Sequence, residues 1–193
     1  GVSAFAVGPE AGKLTLLNRQ DSGGNGPCHL SLGSAGRRLF TANYGGGSVA
    51  MLPVRRDGLL EPAAAVVRYA GSGVHPVRQT APHAHGIYAA PGGRHVLAVD
   101  LGLDKVLVYR AEAANGVLPP HEPPFAALRP GAGPRHLAFH PGGRFAYVAN
   151  ELDSTVTAFA WRSRRGVLEE IRTVSTLPEG ATGQNFPAEI AVH

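Results

Sequence analysis

The sequence has little charge of either sign. Charged residues make up 17 % of the chain, and 18 Lys and Arg against 14 Asp and Glu leave a formal net charge of only +4. The basic residues are scattered, with short doublets such as Arg37-Arg38 and Arg164-Arg165, and they form no continuous basic stripe. Binding to a nucleic-acid backbone uses such a stripe. We therefore expect no nucleic-acid partner.

Cysteine, methionine and long apolar runs are also scarce. The single Cys28 cannot close an intrachain disulfide, and the chain has no Cys-x-x-Cys motif for a metal or a redox reaction. No apolar run reaches the length of a membrane span or of a secretory leader. We therefore expect a cytoplasmic protein without a membrane partner. Because the only methionine is Met51, the native start is expected to lie upstream of Gly1.

Uninterrupted helix-forming stretches are missing as well. Glycine (26 residues) and proline (16 residues) make up more than a fifth of the chain, against roughly 12 % in average proteins. Both residues break helices, so a coiled coil is excluded and a helix bundle is disfavoured. Apolar residues still account for 44 %, which argues against disorder. This composition favours short strands joined by tight turns.

The sequence does contain an internal repeat. Residues 27–49, 84–106 and 134–156 align without gaps, and a fourth copy begins at Phe186. Each unit is about fifty residues long and consists of short alternating segments that turn signals such as Pro141-Gly-Gly separate. Four antiparallel strands in a repeat of this length are typical of a β-propeller blade.

The third unit gives the clearest strand positions. We predict its strands at 134–140, 144–150, 155–161 and 168–176, outer strands of a preceding blade at 2–7 and 13–22, and a surface loop at 70–80. The fold prediction is all-β, with more than about 40 % strand. We predict a single β-propeller domain over residues 1–193, incomplete at both ends, with three full blades and parts of two more. A closed ring needs roughly four to eight blades, so the chain is expected to be a fragment of a longer protein.

One position varies between the units while the framework stays constant. The first strand of each unit starts beside the end of the second strand, so both lie on one rim of the ring, near its axis. The residues at this position are Cys28, His85 and Arg135, with Tyr44, Leu101 and Glu151 beside them. A site assembled from several blades would vary in this way, whereas a merely solvated rim would need no particular residue.

Two other patterns have simpler explanations. His83-x-His85 and the pair His136 and His140 have a spacing that metal ligands can use, but no acidic or cysteine ligand completes either set. We therefore predict no metal. Gly45-Gly-Gly is interpreted as a hairpin turn and not as a phosphate-binding loop, because no helix follows it.

Five longer strings carry a family resemblance. They are Gly26-Pro-Cys-His-Leu-Ser, Ala42-Asn-Tyr-Gly-Gly-Gly-Ser-Val, Pro82-His-Ala-His, Gly133-Pro-Arg-His-Leu-Ala-Phe-His-Pro and Val148-Ala-Asn-Glu-Leu-Asp-Ser-Thr-Val. Over essentially its whole length the chain resembles the bacterial lactonase family of seven-bladed propellers, whose named activity is 6-phosphogluconolactonase. The resemblance implies hydrolysis of 6-phosphoglucono-1,5-lactone, a small phosphorylated sugar lactone, to 6-phosphogluconate in the pentose phosphate pathway. Seven blades would need about twice this length.

The resemblance also implies site residues. A related propeller, the fungal carboxymuconate lactonising enzyme, places a His, an Arg, a Glu and a second Arg around its axial site. Matched motif by motif, the first three correspond to His85, Arg135 and Glu151, and the second Arg falls beyond His193. Substrate contacts are expected from Arg135, His29, His136 and Asn43, although Asn side chains such as Asn43 also bond the local backbone in turns.

Lactone hydrolysis suits these residue types. Glu151 could serve as the base and His85 as the general acid, with the roles exchangeable, and Arg135 could bind the oxyanion or the 6-phosphate. This scheme needs no metal or organic cofactor. We expect the chain alone to have little activity, because an axial site draws on several blades and the second Arg lies outside it.

Two alternatives to this activity remain at the level of sequence. Tyr147-Val-Ala-Asn also resembles the Tyr-Val-Thr-Asn repeats of scaffold propellers, so a non-catalytic binding propeller is the competing hypothesis. A scaffold repeat is expected to keep one residue at the axial position, and this chain does not. The other alternative is a lactonase for a different sugar lactone.

Overall fold

The structure is a computed structural model that describes residues 1–10, 12–111 and 117–193. These residues form strands and turns with no helix, and strands account for 49 % of them. The all-β prediction and the expected strand content are therefore confirmed. Within the described ranges there is no helix that could cross a membrane.

The strands form three four-stranded antiparallel sheets, which we term the first, second and third blade, and one two-stranded sheet. The two-stranded sheet contains β1 (Val2–Val7) and β2 (Leu14–Gln20), and the first blade contains β3 (Pro27–Leu32), β4 (Arg38–Asn43), β5 (Ser48–Pro53) and β6 (Ala65–Arg68). The second blade contains β7 (Ala84–Ala89), β8 (His95–Asp100), β9 (Lys105–Arg110) and β10 (Pro120–Ala127). The third contains β11 (Pro134–Phe139), β12 (Phe145–Asn150), β13 (Thr155–Arg162) and β14 (Val167–Ser175). Within each sheet, strands that follow each other in sequence are paired, as the repeat predicts.

The second blade is buried on both faces because it packs between the other two. In β8, Val96 shares an apolar cluster with Phe40 and Met51 of the first blade. The next residue, Leu97, shares another cluster with Phe159 of the third blade. Successive strand residues point to opposite faces, so β8 is buried along its whole length. Each large apolar side chain buried in this way contributes about 1.5–3 kcal/mol.

The turn between the second and third strand of each blade requires a left-handed residue. Gly47, Asp104 and Ser154 occupy equivalent positions there, with φ of 52°, 54° and 55°. The two polar residues also bind the loop that leads into the next blade. One oxygen of Asp104 accepts the N–H of Gly133 at 2.8 Å, and the Ser154 hydroxyl donates to the carbonyl of Asn185 at 2.7 Å. These contacts help to fix one blade against the next.

The segment 70–80 contains no strand, as predicted, but it is not simply a surface loop. Gln79 is fully buried. Its side-chain NH2 group donates to the Leu101 carbonyl and to Asp104, both at 2.8 Å. Its side-chain oxygen, Oε1, accepts the N–H of His75 at 2.9 Å. The interpretation as a surface loop is therefore wrong for Gln79, because these bonds anchor the segment to the second blade.

Candidate active site

Each blade begins with a β-bulge at the same position. The register between its first two strands shifts between Pro27 and His29, between Ala84 and Gly86, and between Pro134 and His136. The residues left unpaired are Cys28, His85 and Arg135. A bulge takes its side chain out of the regular alternation, and bulges are frequent next to active sites. Because β7 contacts both β3 and β11, the three bulges lie on neighbouring strands at one rim.

Glu151 lies between two arginines at this rim. Its Oε2 atom is 2.9 Å from Nε of Arg135, and its Oε1 accepts a hydrogen bond from a terminal nitrogen of Arg78 at 2.5 Å. Glu151 directly follows β12 and is only 8 % exposed. Arg135 also donates to the carbonyl oxygen of Ala188. The structure therefore brings Arg135 and Glu151 together, and it adds Arg78 to the pair.

His85 is a buried imidazole beside this ion-pair cluster. Burial, and then the positive charge of Arg135, lower the pKa of His85 to about 4. Its ring meets the rings of Tyr44 and His136 edge-on, at centroid distances of 5.4 and 5.1 Å. Its Nδ1 is buried and has no hydrogen-bond partner among the described residues. At neutral pH, His85 is therefore an uncharged imidazole.

His29 and His136 also belong to the cluster. Their ring centroids are 5.2 Å apart, although they come from the first and third blades. His29 accepts the N–H of Ile87 on Nδ1 at 3.2 Å, and His136 Nδ1 lies 3.0 Å from a carboxylate oxygen of Glu189. Burial lowers the pKa of both imidazoles. The structure thus places His136 next to His85, and His29 on the far side of His136.

Asn43 does not join the cluster. It is fully buried, and its amide NH2 donates to the Ser22 carbonyl at 2.9 Å and to the Ser48 hydroxyl at 3.2 Å. The equivalent Asn150 bonds Thr155 in the same way. The expectation that Asn43 contacts the substrate is corrected here, because its side chain is used inside the fold.

Cys28 occupies the bulge of the first blade as a free thiol. Its sulfur lies 3.4 Å from the carbonyl oxygen of His85. Burial raises the pKa of Cys28 above that of an ordinary thiol. The group is therefore a neutral thiol at physiological pH, and it is no activated nucleophile.

The histidine pairs singled out as metal candidates have separate partners. His83 stacks on the ring of Tyr44 at 4.4 Å, and His140 accepts the N–H of Gly142 at 2.9 Å. Across the described ranges, no three His, Cys, Asp or Glu side chains are grouped as metal ligands.

Sequence reasoning missed Arg78 and Glu189 as site residues. Arg78 lies between two repeats, so no aligned residue draws attention to it. The available signal was that it is the only Lys or Arg in the segment 70–80. Glu189 falls in the fourth copy at the position equivalent to His136. The alignment therefore predicts where it lies but not that it bonds His136.

The arrangement combines three elements of acyl hydrolysis. A neutral imidazole can accept a proton from water, and guanidinium groups can stabilise an oxyanion or bind a phosphate. The carboxylate of Glu151 fixes the orientation of both guanidinium groups.

Comparison with known proteins gives a consistent result. Residues 1–193 match the family described as lactonase, 7-bladed beta-propeller. A protein of Bacillus subtilis (strain 168) named 6-phosphogluconolactonase is 38 % identical over 192 residues, which cover 100 % of this chain and 54 % of the relative. A 6-phosphogluconolactonase of Pectobacterium carotovorum subsp. carotovorum (strain PC1) is 35 % identical over 184 residues, covering 95 % and 51 %.

A solved structure shows the same similarity in three dimensions. The periplasmic gluconolactonase of Pseudomonas aeruginosa superposes with a TM-score of 0.88 at 40 % identity, covering 94 % of this chain and 51 % of that chain. The chain thus spans about half the length of these proteins. With the whole sequence matched, the chain belongs to the lactonase family of seven-bladed β-propellers.

Proposed function

We propose that the protein containing this chain hydrolyses a sugar lactone, and that its substrate is 6-phosphoglucono-1,5-lactone, an intermediate of the pentose phosphate pathway. The observation that carries the proposal is the neutral imidazole of His85 beside the ion pair of Arg135 and Glu151. The names of the relatives from Bacillus and Pectobacterium support the choice of substrate.

The reaction can be written with this chain's own residues. A water molecule adds to the lactone carbonyl carbon while its proton passes to the imidazole of His85. The bond between that carbon and the ring oxygen then breaks. The departing alkoxide takes the proton from His85, which leaves the open hydroxy acid. Atoms and charge balance without a change of oxidation state.

His85 suits the role of base better than Glu151 does. The two carboxylate oxygens of Glu151 are each engaged by an arginine, at 2.5 and 2.9 Å. Taking up a proton would break one of these charge-assisted bonds. His85 has no such bond on Nδ1, and its low pKa keeps it unprotonated at neutral pH. We therefore assign the base to His85 and the orientation of the arginines to Glu151.

Arg135 is placed to stabilise the oxyanion. Its Nε faces Glu151 and one terminal nitrogen bonds the Ala188 carbonyl, so its position is fixed while further N–H groups stay unused. Its side chain is 24 % exposed. Fixed donors in a partly buried site stabilise a developing negative charge without reorganising at the moment of reaction.

The proposal is tested in a polypeptide of the relatives' full length that contains this chain. We expect His85→Ala, Arg135→Ala and Glu151→Ala each to lower turnover of 6-phosphoglucono-1,5-lactone by on the order of a hundredfold. His140→Ala is the matched control, because His140 lies at the β11–β12 turn on the opposite rim. Unchanged turnover in all three variants would show that the site is wrongly placed, and a wild-type protein without lactonase activity would favour the scaffold hypothesis.

The location of the protein is a separate proposal. The single cysteine and the lack of long apolar runs predict a cytoplasmic protein, while the similar Pseudomonas aeruginosa protein is named periplasmic. Fractionation of cells that express the full-length polypeptide, followed by detection in the cytoplasmic and periplasmic fractions, distinguishes the two.

A further inference from the structure

Arg78 is the cation of the candidate site that the repeat does not supply. We propose that Arg78 binds the anionic substituent of the substrate, so that it selects a phosphorylated lactone over a neutral one. This inference rests on the proposed lactonase function, and it adds a specificity-determining residue to it.

The position of Arg78 does not depend on its own ion pair. The neighbouring Gln79 holds the loop through five hydrogen bonds. Its side-chain NH2 group donates to the Leu101 carbonyl and to Asp104, and its side-chain oxygen accepts the N–H of His75. Its backbone carbonyl accepts the N–H of Gly73, and its backbone N–H donates to the carbonyl of His75. Arg78 is therefore presented at the rim by a loop that is already fixed. A residue that served only to hold the loop would duplicate what Gln79 does.

Arg78 lines a cavity of about 480 Å³, and Leu152, the residue after Glu151, lines it too. Its walls include His75 and Arg78 on one side, and Leu152, Ser154, Gln184 and Asn185 on the other. Small-molecule sites occupy roughly 300–1,000 Å³, so the space is large enough for the phosphorylated end of a sugar. The Arg78 side chain is 35 % exposed, whereas the Glu151 side chain is 10 % exposed. The guanidinium therefore reaches the cavity while the carboxylate stays behind it.

The charged side chains at this rim carry an excess positive charge, which favours binding of an anion. Arg78 and Arg135 share the single negative charge of Glu151, which leaves one positive charge unmatched. The acidic residue in the cavity wall, Asp153, is paired with Arg129 at 2.6 Å and also accepts the Thr155 hydroxyl. A guanidinium has five N–H donors, and Arg78 uses some of them towards Glu151 and the Tyr44 side chain, so donors remain for phosphate oxygens.

The two arginines engage opposite oxygens of the same carboxylate. Arg135 stands at the bulge beside His85, where the reacting carbonyl would lie, and Arg78 stands on the side of the cavity. In 6-phosphoglucono-1,5-lactone, the carbonyl carbon and the carbon that carries the phosphorylated CH2 group are both bonded to the ring oxygen, so the carbonyl and the phosphate lie near each other, as do two arginines that share one carboxylate. The geometry therefore assigns the carbonyl to Arg135 and the phosphate to Arg78.

The test compares two substrates in the full-length polypeptide. We expect Arg78→Ala to raise KM for 6-phosphoglucono-1,5-lactone about ten- to hundredfold, and to leave kcat/KM for unphosphorylated glucono-1,5-lactone within about twofold. Arg78→Lys is expected to lie between wild type and Arg78→Ala, since it keeps the charge and loses the planar fork. Arg162→Ala removes the same charge from an exposed ion pair with Glu169, neither of which lines the cavity, and should change the kinetics of neither substrate.

A purely structural or positioning role would give a different pattern. Equal losses on both lactones in Arg78→Ala would show that Arg78 only orients Glu151, and no change on either would show that it has no part in the site; both results overturn the proposal. If Arg78→Ala does not fold, Arg78→Gln gives the same comparison. Binding of inorganic phosphate, measured by calorimetry, is a readout that needs no activity: we expect about tenfold weaker binding in the variant, and equal binding would overturn the assignment. Failure of the wild type to hydrolyse either lactone would instead count against the proposed function.

Discussion

The Oδ1 atom of Asp104, in a turn of the second blade, accepts the N–H of Gly133, which precedes the third blade, at 2.8 Å. The same oxygen accepts a bond from the buried Gln79, and Oδ2 accepts the N–H of Gly131, also at 2.8 Å. One side chain therefore joins the loop that carries Arg78 to the loop that leads to Arg135. The relative position of the two site arginines depends on it.

Replacement of Asp104 is expected to destabilise the fold. Asp104→Gly keeps the left-handed backbone possible but leaves two backbone donors and the Gln79 amide without their acceptor. Buried donors left unpaired cost about 1–3 kcal/mol each. We expect a loss of about 3 kcal/mol in the free energy of unfolding, measured with urea. Asp57→Gly, at an exposed turn, is the control; an equal effect of both changes would contradict the role of Asp104.

The repeat was sufficient to predict the blades and the rim. The alignment of Arg135 with His85 and Cys28 placed all three at the start of a first strand, and the structure confirms that position for each. The bulges could not be read from the sequence, because all three units carry the extra residue and an alignment without gaps conceals it. The bulges decide which way these side chains point.

The contacts between non-equivalent segments could not be predicted. Arg78 lies 73 positions from Glu151 in sequence and in no repeat, so only the folded loop brings the two together. Asn43 shows the opposite error: its position in the repeat is right, but whether an Asn side chain faces a ligand or its own turn depends on neighbours such as Ser22. The repeat predicts where a residue lies in its blade, whereas the contacts of its side chain depend on how the folded segments pack together.

The buried Asp100 makes stability depend on pH. Burial raises the pKa of Asp100 to about 6, although the N–H groups of His83 and Leu103 donate to it at 3.0 and 2.9 Å. The folded state therefore keeps a proton that the unfolded chain releases near pH 3.8, and the stability this provides below pH 3.8 is lost as the pH rises to about 6. Asp100→Asn removes this dependence.

We expect the free energy of unfolding of Asp100→Asn, relative to wild type, to rise by on the order of 2 kcal/mol between pH 4 and pH 7. Urea unfolding at both pH values measures it. Asp57→Asn is a control of opposite sign, because the N–H of Leu59 and the charge of Arg55 lower the pKa of the exposed Asp57. A constant difference for Asp100→Asn across this range would show that the carboxyl is ionised as easily in the fold as in the unfolded chain.

The low pKa of His85 can be measured directly. We expect its ring protons to titrate near pH 4 in an NMR experiment, well below the usual value of about 6.5. Because Arg135 contributes to the shift after burial, Arg135→Gln should raise the pKa of His85 without restoring it fully. Arg129→Gln, which removes a charge at the same rim, should leave it unchanged. Lactonase activity should then persist as the pH falls from 7 to 5, and a midpoint near 6.5 in either experiment would contradict the proposed base.

The isolated 193-residue chain is expected to have little lactonase activity and to associate. Leu30 and Leu32 on the first strand of the first blade are each 53 % exposed, and Leu16 of β2 is 55 % exposed. Apolar groups on a first strand are covered by a neighbouring blade in a closed ring, so in isolation they favour association between copies. Light scattering on the isolated chain measures this association.

Association and loss of activity can be separated in that chain. A double variant, Leu30→Lys with Leu32→Lys, should reduce association, because it puts charge on the exposed face. It should not restore activity, since the cleft stays open to water, which weakens the charge interactions of Arg135 with the oxyanion. Hydrolysis of 6-phosphoglucono-1,5-lactone above the spontaneous rate, compared per mole with the full-length polypeptide, decides the matter. Comparable rates would mean that Arg78, His85, Arg135 and Glu151 form a complete site without any further blade.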